Sequence, residues 1–118
     1  MVEAEKEIVK AALRGFNRAI ILWLISSKPM SGYSVIKEMH QLTGEKSHQG
    51  IIYPLLYELE KSGFIIGEWT KKGSVKIKNY AITEDGLELL AHLREIFSMP
   101  IKEAMQDLMG KDAKEKQD

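Results

Sequence analysis

The 118-residue sequence contains no cysteine, which excludes disulfide frameworks, thiolate metal sites, iron–sulfur clusters and cysteine nucleophiles. Long hydrophobic runs are also missing: the longest, Ala19 to Ile25, is seven residues, far short of the ~20 that span a bilayer. Neither sign of charge is in excess, since 17 lysines and arginines stand against 17 aspartates and glutamates. No global field therefore draws the chain to nucleic acid or to a membrane, and affinity for either would have to rest on local charge. The first residues, Met1-Val2-Glu3-Ala4-Glu5-Lys6-Glu7, are acidic where a secretory leader is basic, so a soluble cytoplasmic protein is expected. No glycine-rich loop follows a strand pattern, no nucleophile elbow occurs, and His40, His48 and His92 fall in unrelated segments. An enzyme is not expected.

What is present is helical periodicity followed by a β pattern. Ile8, Ala12, Phe16, Ala19, Ile20, Trp23 and Leu24 recur at spacings of three and four, which predicts a first helix from about Glu3 to Ser26. Its second half is apolar all round and therefore buried on more than one side. Lys28-Pro29-Met30 ends it. Ser31 offers an N-cap to a second helix carrying Val35, Ile36, Met39 and Leu42, closed by Thr43-Gly44. Ser47 can cap a third, with Ile51, Ile52, Leu55, Leu56 and Leu59 in register, Pro54 bending its first turns and Ser62-Gly63 stopping it. Two β-rich runs, Phe64 to Thr70 and Val75 to Ile82, flank Lys71-Lys72-Gly73-Ser74 and predict a hairpin with a basic tip. Thr83 then caps a fourth helix bearing Leu87, Leu90, Leu93, Ile96 and Phe97, and Pro100 bends or ends it before a shorter amphipathic stretch with Ile101, Met105 and Leu108.

Three helices, a hairpin and a further helix make a mainly α chain with a β-hairpin (α+β), in the order of a winged helix-turn-helix. In that fold the third helix enters the major groove of double-stranded DNA and the wing reaches the backbone. Lys71, Lys72, Lys76 and Lys78 lie within eight residues that contain no acid, a local patch for phosphate despite zero net charge. Residues 84–118 hold nine acids and five bases, an excess that belongs away from DNA. The apolar face of the third helix leaves His48, Gln49, Tyr53, Tyr57 and Lys61 as candidates for the outer one. Glu84, Glu88, His92 and Glu95 share a face of the fourth helix, but a stripe along one helix does not converge on a point, so no metal and no cofactor are expected.

Pro29-Met30-Ser31-Gly32-Tyr33, Gly50-Ile51-Ile52-Tyr53-Pro54-Leu55-Leu56, Leu59-Glu60-Lys61-Ser62-Gly63-Phe64-Ile65 and Tyr80-Ala81-Ile82-Thr83-Glu84-Asp85-Gly86, within about residues 15 to 95, carry a resemblance to the PadR family of transcriptional regulators. It implies a homodimeric repressor on a pseudo-palindromic operator, with Ser31 and Tyr33 joining the DNA-facing set. With about 35 residues beyond the wing, the chain is similar to the short subfamily, which dimerises through its N- and C-terminal helices. Members of that type take up aromatic or drug-like effectors, which makes Phe16, Trp23 and Phe97 the candidate lining of an effector pocket.

The residues themselves also favour a dimer. The first helix is apolar on more sides than a three-helix core can cover, and the fourth carries a seam with nothing to meet it in one chain. Ile8, Phe16, Ile20, Leu90, Leu93, Phe97 and Ile101 are the candidate interface. The expected organisation is a winged domain over residues 1–83, a dimerisation helix over 84–109 and a disordered tail over 110–118. A competing reading keeps the fold as a protein-interaction module without DNA, with Tyr53, Tyr57 and Trp69 as its contact patch.

Overall fold

A computed structural model of the chain describes residues 2–43 and 49–110. The element order is α1 (Glu3–Ser27), β1 (Met30–Ser31), α2 (Gly32–Thr43), α3 (Gln49–Lys61), β2 (Ile65–Lys72), β3 (Val75–Ile82), α4 (Glu84–Phe97) and α5 (Pro100–Met109). This is the expected helical chain with a small sheet. The proposed Gly44 and Ser47 caps and the tail over 111–118 lie outside the described residues.

Burial follows the expected apolar positions in α2 and α3 but not in α1, where of the expected stripe only Leu24 is buried, Ile8, Phe16 and Trp23 stand 71%, 54% and 47% accessible, and the core takes the other side of the all-apolar second half. Ile21, Leu22 and Ile25 of α1, Val35 and Met39 of α2, Ile52, Leu55, Leu56 and Leu59 of α3, Ile65 of β2 and Tyr80 of β3 form one core. No polar or charged side chain is buried among the described residues, so the core rests on apolar packing, at roughly 1.5 to 3 kcal/mol for each large side chain removed from water. Leu90 belongs to this core and is 5% exposed. That corrects its assignment to a dimer seam: Leu90 faces inward onto its own chain, and Ile20 and Leu93 pack half-buried against the same cluster.

The sheet holds one strand more than the sequence pattern predicts. Met30 and Ser31 pair antiparallel with Tyr80 and Asn79, giving the order β1-β3-β2. Two residues are too few to show a periodicity. The hairpin also runs further than expected, since Lys71 pairs with Lys76 and Lys72 with Val75. Gly73 and Ser74 alone make the turn, with Gly73 at φ +66°, the glycine-first arrangement of a two-residue hairpin loop.

The base of the wing is fastened by the two helix ends that flank it. At the exit of α3, the Gly63 amide donates to the Glu60 carbonyl and the Phe64 amide to that of Leu59, both at 3.0 Å, with Gly63 at φ +84°. This is a Schellman cap. At the start of α4, Thr83 Oγ1 accepts from the Gly86 amide at 3.1 Å and donates to the Gly63 carbonyl at 2.6 Å. The Thr83 amide donates to the Phe64 carbonyl, and a Cβ on Gly86 would run into that same oxygen.

The two ends of the chain project from this body. The radius of gyration is 17.0 Å, against about 13.5 Å for a compact chain of this length. The N-terminal half of α1 exposes Ile8 and Phe16, 71% and 54% accessible. The helix beyond the wing is broken, not merely bent: Ser98 ends α4, Met99 is extended, and Pro100 opens α5, where its missing amide costs nothing. Ile101 is exposed there, as is Phe97 at the end of α4.

Candidate nucleic-acid interface

Helix α3 presents Tyr53, Tyr57 and Lys61 on one exposed face, four residues apart, because Ile52, Leu55, Leu56 and Leu59 hold the opposite face in the core. Pro54 lies within the helix without ending it. Gln49 opens α3, and His48 lies outside the described residues. Tyr53 lies against the start of α2, where a Cβ on Gly32 would sit 2.5 Å from its Cε1. At that helix start, Ser31 Oγ accepts from the Ser34 amide at 3.1 Å, which bears out its expected capping role, and Tyr33 is exposed.

Strand register sorts the wing into two faces. Opposed residues share a face and alternate along each strand, so the pairs Gly67 with Tyr80, Trp69 with Lys78 and Lys71 with Lys76 stand on one side. Lys72 stands on the other, with Glu68, Thr70 and Asn79. The four lysines therefore do not form one patch. Lys71 and Lys76 are direct cross-strand neighbours of like charge, a mildly destabilising pairing, and neither has an ion-pair partner among the described residues. Trp69 beside them is exposed.

Lys78 is held differently from the tip lysines. Its ammonium is 2.8 Å from Glu60 Oε1 and lies 5.2 Å from the Tyr80 ring and 5.8 Å from that of Trp69. The hydrogen bond to Glu60 pushes the Lys78 pKa up, and the same bond, with help from the Gly67 amide, holds the Glu60 carboxyl below its ordinary value. Burial raises the phenol of Tyr80. Glu60 and Gly67 carry no sequence signal for DNA contact, although a glycine inside a strand is a readable sign of close approach.

Between the wing face and the helices lies an open cleft of about 620 Å³, lined among others by Ser31, Tyr33, Tyr53, Trp69, Lys76 and Lys78. It brings together expected residues from α2, α3 and the wing; Tyr57, Lys61, Lys71 and Lys72 do not line it. On the other flank of α3, Glu58 pairs with Arg14 and Arg18 of α1, and the Arg18 hydrogen bond lowers its pKa. Phe16, Trp23 and Phe97 are half-exposed on the surface of the single chain, at 54%, 47% and 40%.

Residues 21–92 match the model of the transcriptional regulator PadR-like family, the core of the winged fold from the end of α1 into α4. The chain belongs to the PadR-like family of transcriptional regulators. A PadR-like transcriptional regulator from Bacillus cereus superposes with a TM-score of 0.71 at 28% identity, over 82% of this chain and 94% of that one. A Thermoplasma acidophilum protein gives 0.73 at 29% identity, over 86% and 95%. A PadR family regulator from Clostridium difficile, at 20% identity, gives 0.69 over 80% and 99%, a likeness of fold. No curated protein sequence matches the chain. PadR family regulators bind DNA, and no helix among the described residues is long and apolar enough to cross a membrane.

Proposed function

We propose that this PadR-like chain is a sequence-specific repressor that binds a pseudo-palindromic operator as a homodimer. The outer face of α3, with Tyr53, Tyr57 and Lys61, enters the major groove. Lys71, Lys72 and Lys76 of the wing neutralise flanking phosphates. The observation that carries this reading is the cleft between wing and helices, where Ser31, Tyr33, Tyr53, Trp69 and Lys76 converge beside unpaired tip lysines. A phosphate chain there would meet a cation, hydroxyl donors and aromatic faces for its sugars.

The dimer is supported by apolar side chains exposed on both projecting ends. Ile8 and Phe16 on α1 and Phe97 and Ile101 near the α4–α5 break stand 40% to 71% accessible in the single chain. A two-fold partner that covers them would also set two α3 helices about 34 Å apart, one DNA turn. Phe16, Trp23 and Phe97, all half-exposed, would then line an effector site between the protomers. Residues 84–109 serve as the dimerisation arm on the winged domain of residues 1–83.

The exposed aromatics Tyr53, Tyr57 and Trp69 favour one other reading, a winged module that docks on protein. Selection of bound fragments from genomic DNA at about 150 mM salt, with sedimentation in the same buffer, separates the two. Recovery of a two-fold symmetric site by a dimer is the expected result. A folded dimer that enriches no sequence would overturn the repressor reading in favour of the docking module.

A further inference from the structure

The geometry at the base of the wing separates Lys78 from the three lysines nearer the tip. Glu60, on the last turn of α3, uses both carboxylate oxygens across the gap to the wing. Oε2 accepts from the Gly67 amide at 2.9 Å and Oε1 from the Lys78 ammonium at 2.8 Å. Because β2 is an edge strand, the Gly67 amide is given to a helix side chain and not to another strand. A Cβ at position 67 would meet Lys78 Cε and sit 2.8 Å from Glu60 Oε2, so a side chain there would have to push aside the two side-chain ends that make the clamp. The Tyr80 and Trp69 rings close over the ammonium.

We propose that Glu60 is a positioning residue that sets the angle of the wing against α3, with Lys78 acting as its strut and not as a phosphate ligand. This inference rests on the DNA-binding reading for its consequence, and on the clamp alone for its structure. To reach a phosphate, the Lys78 ammonium would have to leave a carboxylate and two rings. The lever is long: Lys71 lies four residues beyond Gly67, about 13 Å along the strand, so a 10° tilt at the base displaces the tip by about 2 Å. That distance separates a made hydrogen bond from a lost one, and flexible lysines recover it only with loss of rotamer freedom.

The test measures binding to the selected operator across a salt series for wild type, Gly67→Ala, Lys78→Met, their double variant and Lys76→Ala. Gly67→Ala and Lys78→Met are each expected to weaken binding roughly ten-fold, with a salt dependence parallel to wild type and a double variant no worse than either single one. Lys76→Ala should flatten the slope by about 0.9, as the loss of one phosphate contact requires. A Lys78→Met slope that falls like that of Lys76→Ala, or a Gly67→Ala variant that binds like wild type, overturns the proposal. Amide exchange in the DNA-free protein judges the clamp separately. Glu60→Ala should speed exchange at Gly67 about ten-fold or more while Leu55 in α3 keeps its protection, and an unchanged Gly67 rate refutes the clamp. A wild-type protein that selects no operator defeats the DNA reading, and the exchange result still stands for or against the clamp.

Discussion

The base and the tip of the wing are built from the same two strands and hold opposite kinds of chemistry. At the base, Ile65 and Tyr80 are buried, Lys78 is tied to Glu60, and Thr83 and Gly86 dock the entry of α4 on the backbone of Gly63 and Phe64. From Glu68 to Lys76 every residue is exposed, and Lys71 and Lys76 face each other without an acid between them. The base is satisfied internally. The tip carries like charges that the fold itself does not need, which is the arrangement expected where an external anion supplies the partner. A lysine's role is therefore decided by what lies within about 3 Å of its ammonium, and position along one strand is enough to change it.

The largest expected effect lies at the base. Gly86 is a helical residue, so alanine would ordinarily stabilise it by about 1 kcal/mol, but its Cβ would meet the Phe64 carbonyl oxygen, a backbone atom that cannot rotate away. Gly86→Ala should destabilise the protein by roughly 1 to 3 kcal/mol, read from urea unfolding. A stabilised variant would show that α4 does not dock on the wing base. At the tip, Gly73→Ala should cost about 1 kcal/mol, because φ +66° disfavours a side chain but nothing lies within 4 Å of it. A larger loss at Gly73 than at Gly86 would invert the comparison. Smaller still is the stability change for Lys71→Ala with Lys76→Ala, a gain of a few tenths of a kcal/mol as the like charges part. The same pair should lower the slope of log affinity against log salt by about 1.8, so the tip is expected to separate binding from folding.

Much of this was legible in the sequence because it is periodic. The core of α2 and α3 follows from spacings of three and four, and the Ser31 and Thr83 caps from hydroxyls placed just before their helices, whereas in α1 the spacing names Ile8, Phe16 and Trp23, which are exposed, because an all-apolar stretch has no single periodic face to choose. Exposure of Tyr53, Tyr57, Lys61 and the tip lysines was legible in the sequence, but their grouping was not. Four lysines within eight residues read as one patch, whereas register puts Lys72 on the far face and Glu60 takes Lys78. Strict alternation along a strand already separates Lys72 from Lys71, but Glu60 comes from a different element, and no local pattern brings it to Lys78. Leu90 fails in a similar way: helical spacing names the residues of an apolar face but not which neighbour covers it, and the core of the same chain reaches Leu90 first. Two-residue β1 lies below any pattern length.

Acid should separate base from tip by the smallest effect of the set. Glu60 is held below its ordinary carboxyl value of 4.5, chiefly by the Lys78 hydrogen bond, so its contribution to stability is complete above about pH 4.5 and is lost as pH falls through the folded-state value. Lys78 is raised above 10.5 by the same bond, so its contribution is complete below that value and is lost as pH rises through the folded-state one. Between these limits the clamp is fully ionised and the stability difference between wild type and Glu60→Gln should be flat. Below pH 4.5 the difference should shrink, because protonation does to wild type what the substitution has already done. Thermal midpoints taken from pH 7 to pH 3 check this. The Lys71→Ala/Lys76→Ala pair should leave the acid limb unchanged, since no carboxylate is bound at the tip. Glu58 titrates in the same direction through Arg18 and Arg14, but its side chain is 40% exposed against 27% for Glu60, so about 0.5 M salt should erase more of its share. An acid limb in Glu60→Gln as steep as in wild type, at high salt, would mean that the wing base is held by packing alone.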